Sequence, residues 1–109
     1  IGIVNNWKNP DFKGGKVLDV ESGSADSGAN IQEYTWNGSD AQLWRFGMGN
    51  NGYYIKSKLG TFIDVKAGKV TEGNNVQTNT YGATGAQNWK LDSLLINEEE
   101  EKIADGTYI

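Results

Sequence analysis

Two acids, Asp19 and Asp64, stand where strand-forming residues belong, in Leu18-Asp19-Val20 and Ile63-Asp64-Val65. Strands favour β-branched and aromatic residues, and a local conflict of this kind marks a functional position. An ionised carboxylate accepts hydrogen bonds and donates none. Each acid is therefore suited either to holding donor groups of a bound molecule or to capping backbone N–H groups of the next turn. Amides and aromatics accompany both acids: Gln32, Tyr34 and Trp36 come after Asp19, while Gln77, Asn79 and Tyr81 come after Asp64. Each stretch closes on Gln-x-Trp, Gln42-Leu43-Trp44 and Gln87-Asn88-Trp89. The tryptophans read as core residues, since burying a large side chain is worth about 1.5–3 kcal/mol. A glutamine beside such a core needs partners, or it costs about 1–3 kcal/mol. Gln42 and Gln87 are therefore expected to tie down neighbouring backbone and to order the site.

These residues recur with one spacing. Asp19 and Asp64, Gln32 and Gln77, Gln42 and Gln87, and Trp44 and Trp89 are each 45 positions apart. A fixed period means that each copy is one supersecondary unit, unable to bury its apolar face alone and obliged to stack on its siblings. Within the copies, short β-branched and aromatic runs alternate with Gly, Asn and Ser clusters, which are strand and turn signals. No apolar stripe at helical spacing occurs before Asp92, so about four short strands per copy are expected and the fold class is all-β. Residues two apart on a strand share a face, which places Asn30, Gln32, Tyr34 and Trp36 together in copy one. The same rule groups Gln77, Asn79 and Tyr81 in copy two.

The spacing of the Leu/Ile-Asp-Val element, the Asn30-Ile31-Gln32 and Asn75-Val76-Gln77 elements and the terminal Gln-x-Trp resembles the ricin B-type lectin repeat of β-trefoil proteins. The resemblance runs from about Ile3 to Leu91, and the cysteine-free copies look like bacterial versions of that repeat. It implies a β-trefoil, and two of its three lobes are evident here. It also implies a carbohydrate-binding role in which the aspartate accepts from sugar hydroxyls and an aromatic two residues after the glutamine stacks on the pyranose. That platform is Tyr34 in copy one and Asn79 in copy two, so copy two has lost it. The expected sugar site is Asp19, Gln32, Tyr34, Trp36, Asn37, Asp40 and Gln42. A second, weaker site would use Asp64, Gln77, Asn79, Tyr81 and Gln87. The family often has asparagine just before Gln-x-Trp, where this chain has Ala41 and Ala86; Asn37 and Asp40 are the replacements in copy one. The implied ligand is of the galactose, lactose or N-acetylgalactosamine type, bound by a module that targets a larger secreted protein to glycans. The alternative is a trefoil scaffold for protein–protein contact with decayed sugar sites.

Composition narrows the classes further. The 109 residues hold one domain, and 15 glycines with a single proline suit many tight turns. Without cysteine or histidine there is no disulfide framework and no thiol chemistry, and both the usual general base and the commonest metal ligand are absent. Neither a metal nor a cofactor is expected, and catalysis is not. Two acids 45 positions apart in equivalent lobes would not face each other as an acid/base pair. A net charge of −4 supplies no basic patch for nucleic acid, and no apolar run is long enough for membrane insertion. The first residues lack the cationic and apolar pattern of a signal peptide, so secretion rests on the resemblance.

The organisation expected is repeat one over 1–50, repeat two over 51–91, an acidic linker-like segment over 92–105 and the start of a further strand over 106–109. The four acids Glu98 to Glu101 read as a solvated linker before a calcium or partner role. With the third lobe missing or incomplete, an apolar strip that includes parts of the faces of Val17, Leu18, Phe62 and Ile63 would lie open. Self-association, or pairing with another chain, would then complete the trefoil.

Overall fold

Glycine at 47 lets two strands close on an aromatic ring. The computed structural model, which describes residues 3–5, 15–49, 52–82, 84–90, 96–97 and 102–103, pairs β4 (Leu43–Gly49) with β5 (Gly52–Ser57). Gly47 stands opposite Tyr54, and a Cβ at 47 would collide with the Tyr54 ring. This hairpin joins the two copies, because β4 ends the first and β5 opens the second.

Copy one contributes β1 (Val4–Asn5), β2 (Lys16–Val20), β3 (Ile31–Thr35) and β4; copy two contributes β5, β6 (Phe62–Val65) and β7 (Val76–Asn79). Five strands form one sheet in the order β1-β4-β5-β6-β7, with β1 parallel to β4 and the other pairs antiparallel. β2 and β3 make a separate hairpin. Among the described residues, four strands per copy therefore hold for the first copy only. In the second, the place of a fourth strand is taken by a single bridge between Tyr53 and Trp89, whose N–H and C=O groups exchange two 2.8 Å bonds. Gly52, at φ 138°, permits that approach: a Cβ there would lie 2.9 Å from the Trp89 carbonyl oxygen.

Beyond Trp89, β8 (Ile96–Asn97) and β9 (Lys102–Ile103) pair antiparallel inside the stretch read as a linker. Glu98 to Glu101 and the segment 106–109 lie outside the described residues. The helical elements among the described residues are four single 3-10 turns: Glu21–Gly23, Asp40–Gln42, Lys66–Gly68 and Gly85–Gln87.

Val20, Ala41, Trp44, Ile55 and Ile63 form the main buried cluster, drawn from both copies. A smaller one joins Val4, Val17 and Leu43. The copies also zip together along backbone: Gly28 N–H donates to the Thr78 carbonyl at 2.7 Å, and Thr78 N–H to the Ala29 carbonyl at 2.9 Å. Among the described residues one side stays open. A groove of about 560 Å³ is walled by Leu18, Ile31, Phe46, Ile55, Ile63 and Trp89. Of the four residues expected on an open strip, Leu18 and Ile63 line it, whereas Val17 and Phe62 do not.

Candidate functional site

Antiparallel register builds the site. Asp19 lies directly opposite Gln32 on β2 and β3, and Asp64 lies opposite Gln77 on β6 and β7. Directly opposed residues share a sheet face, so each acid and its amide point the same way. Asp19 is only 4% exposed, and each carboxylate oxygen accepts from a different amide: Oδ1 from Gln32 Nε2 at 3.1 Å, Oδ2 from Gln42 Nε2 at 2.9 Å. A buried charge needs such partners. Among the described residues the acids do not cap the turns after them; amide side chains hold them instead.

Gln42 is wholly buried and behaves as a clamp. Its Nε2 also donates to the Thr35 carbonyl at 2.9 Å, while its Oε1 accepts from Asn37 N–H at 2.7 Å and Gly38 N–H at 3.3 Å. Gln87 repeats the pattern, donating to Asp64 Oδ2 at 3.0 Å and the Thr80 carbonyl at 2.7 Å and accepting from Gly82 N–H at 2.9 Å. The glutamines of Gln-x-Trp therefore stand behind the sites and fix the carboxylates in front of them.

An open depression of about 520 Å³ lies over copy one, and Asp19, Gln32, Tyr34, Asn37 and Asp40 all line it. Tyr34 is 51% exposed. Trp36 lies elsewhere, packed on Val4, Val17 and Leu43. The face-sharing rule fails there because β3 ends at Thr35.

Copy two has its own depression of about 660 Å³ that includes Asp64 and Asn79 but neither Gln77 nor Tyr81. Among the described residues Gln77 gives Asp64 no counterpart of the Gln32 bond. Asn79 Oδ1 accepts from Thr80 N–H at 2.8 Å, which ties that side chain to its own turn. Tyr81 lies beyond the end of β7 and packs its ring against Phe62, 5.0 Å between centroids, and Tyr54.

Some lining residues escaped the reading of the sequence. Ser22 in the first depression and Ala67 in the second both adopt left-handed backbone, φ 60° and 55°, each with a left-handed glycine next in the chain. Strain of roughly 1–2 kcal/mol at a non-glycine residue persists only where the surroundings impose it. The recurrence of glycine at 23 and 68, 45 positions apart, was the available signal. Leu59 also lines the first depression, although it belongs to copy two, and Lys58 beside it pairs with Asp40 at 3.5 Å.

The chain has counterparts among known proteins. A family model described as a ricin-type beta-trefoil lectin domain-like domain matches residues 11–79 and again 40–108. Mucoricin of Rhizopus delemar is 50% identical over 46 residues, 40% of this chain and 29% of Mucoricin, so less than a third of that relative is spanned. The fold superposes on ThreeFoil, a designed threefold-symmetric protein, with a TM-score of 0.69 and 29% identity, covering 86% of this chain and 79% of that one. It also superposes on an exo-beta-1,3-galactanase from Clostridium thermocellum, with a TM-score of 0.64 and 31% identity, over 74% of this chain and 20% of the enzyme.

Proposed function

This chain belongs to the ricin-type β-trefoil lectin-like family, and on that premise we propose that it is a non-catalytic module binding galactose-type sugars through its first repeat. The observation that supports this reading is the half-exposed Tyr34 ring lining one depression with Asp19, whose carboxylate is already oriented by two amides. A pyranose can lay its C–H face on such a ring while carboxylate and amide groups take its hydroxyls. An ionised carboxylate has about four lone-pair positions, and Gln32 and Gln42 use two, so acceptor capacity remains for two vicinal hydroxyls. The preference for galactose-type sugars draws on the likeness to part of a galactan-cleaving enzyme. Attachment to a larger secreted protein belongs to the same proposal; no helix among the described residues is long and apolar enough to cross a membrane.

A site with one stacking ring and a few hydrogen bonds gives a Kd on the order of 0.1–10 mM, about −3 to −5 kcal/mol. Titration with galactose, lactose and N-acetylgalactosamine should shift the backbone amides around Asp19 and Tyr34. Tyr34→Ala should weaken binding about tenfold or more and leave stability nearly unchanged, because an exposed ring contributes little to the core. Shifts gathered around Asp64 and Asn79, or none near saturation, would contradict the assignment.

The second copy tests the role of the ring. Asn79→Tyr supplies an aromatic beside Asp64, and calorimetry of that variant should report two sites of similar affinity where the parent has one. A single site in the variant would place the defect in Gln77 or Ala86 instead.

The scaffold reading draws on the open groove, an apolar surface of a kind that marks contact sites. Self-association or pairing with another chain through it would close the trefoil, and light scattering reports the outcome.

A further inference from the structure

We propose, resting on the carbohydrate reading above, that the first depression is charge-selective, preferring hexosamines with a free ammonium group over neutral sugars and disfavouring uronic acids. The two depressions share a fold but differ in charge. Asp19, Glu21 and Asp40 all line the first. Their counterparts 45 positions on are Asp64, Lys66 and Gly85, and the second depression has Asp64 as its one lining carboxylate among the described residues. The site is not defined by these acids. The depression, its ring and the amide-held Asp19 would exist without Glu21 and Asp40, which alter only the field inside it.

That field is poorly neutralised. Asp19 is held by uncharged amides, so its charge is oriented without being cancelled. Among the described residues the Glu21 carboxylate has neither a hydrogen-bond nor an ion-pair partner. Asp40 meets Lys58 at 3.5 Å, with both side chains substantially exposed, a geometry that binds weakly and is screened by salt. Among the described residues three acids thus line one concave surface, with a lysine paired to Asp40 alone, and concave walls focus field lines. Apolar Leu59 and the Tyr34 ring complete the wall, and the ring adds a cation–π contribution for an ammonium group. The acids are not arranged for a metal ion: no three carboxylates among the described residues converge closely enough to ligate one.

The test is a titration of the full chain with galactose, galactosamine and galacturonate at about pH 6, where the sugar amine carries a proton and the uronic acid has lost its own. Amide signals of Gln32 and Tyr34 are monitored at roughly 20 mM and 500 mM salt. At low salt galactosamine should bind about 3- to 10-fold tighter than galactose, with galacturonate weaker by a similar factor, and the spread should shrink at high salt. Glu21→Lys, which copies the second repeat, should bring the galactosamine-to-galactose ratio close to one. Lys58→Ala should raise it by baring Asp40. Equal affinities for the three sugars at both salts, with galactose still bound, would overturn charge selection and leave carbohydrate binding intact. No response to any of the three would overturn both.

Discussion

Gln42→Ala is expected to destabilise the chain by about 3–5 kcal/mol and to abolish sugar binding in the first repeat. The side chain is wholly buried and serves four partners: the Asp19 carboxylate, the Thr35 carbonyl and the N–H groups of Asn37 and Gly38. Truncation leaves the buried Asp19 carboxylate with Gln32 alone and frees three partly buried backbone groups at once. An unsatisfied buried polar group costs about 1–3 kcal/mol and a charged one more, and removing one partner of a buried charge commonly costs 3–5 kcal/mol. Against a typical total stability of about 5–15 kcal/mol, that loss leaves a marginal fold. Gln87→Ala strands the Asp64 carboxylate, the Thr80 carbonyl and Gly82 N–H, so its cost should be comparable. It should leave the first site able to bind. Urea unfolding decides the matter: the midpoint should fall at constant slope in both variants. A cost below about 1 kcal/mol for Gln42→Ala would show that water replaces the amide, and the clamp would lose its explanation.

Trp44→Ala should cost about 3–5 kcal/mol, as expected for emptying an aromatic position in a closed core. Trp44 is wholly buried among Val20, Ala41, Ile55 and Ile63, and its indole N–H donates to the Leu18 carbonyl at 3.1 Å. Its repeat counterpart Trp89 has one side on that core and the other on the groove, with a longer 3.4 Å bond to the Ile63 carbonyl. A half-buried ring returns less area to water, so Trp89→Ala should cost about 1–3 kcal/mol. Thermal melts of the two variants measure the difference between the closed and open sides of the fold. If Trp89→Ala costs as much as Trp44→Ala, the groove is covered in solution. A concentration-dependent melting temperature would then identify a second copy as the cover.

The repeat and the all-β class were legible because they depend on periodicity. A 45-residue period matched Asp19 with Asp64 and Gln32 with Gln77, and the strand register then sets each acid opposite its amide. Trp36 and Tyr81 were misplaced because alternation of faces holds only while the strand lasts, and β3 and β7 end at Thr35 and Asn79. Leu59 and Lys58 were missed for a different reason. They reach the first site from the other repeat, and comparing two copies position by position reveals what they share, never what one gives the other. The same limit hid the missing fourth strand of copy two, where pairing shrinks to the single Tyr53–Trp89 bridge although the Gln-x-Trp motif itself is intact.

Asn75 Nδ2 donates to Asn30 Oδ1 at 2.9 Å, and these two residues are the same position of the repeat, 45 apart. The contact is directional although the positions are equivalent: one asparagine gives its N–H and the other takes it, so each retains the complementary half of its amide. The covalent link between the repeats is itself a paired hairpin, β4 with β5, so it joins the copies by backbone pairing as well as by proximity.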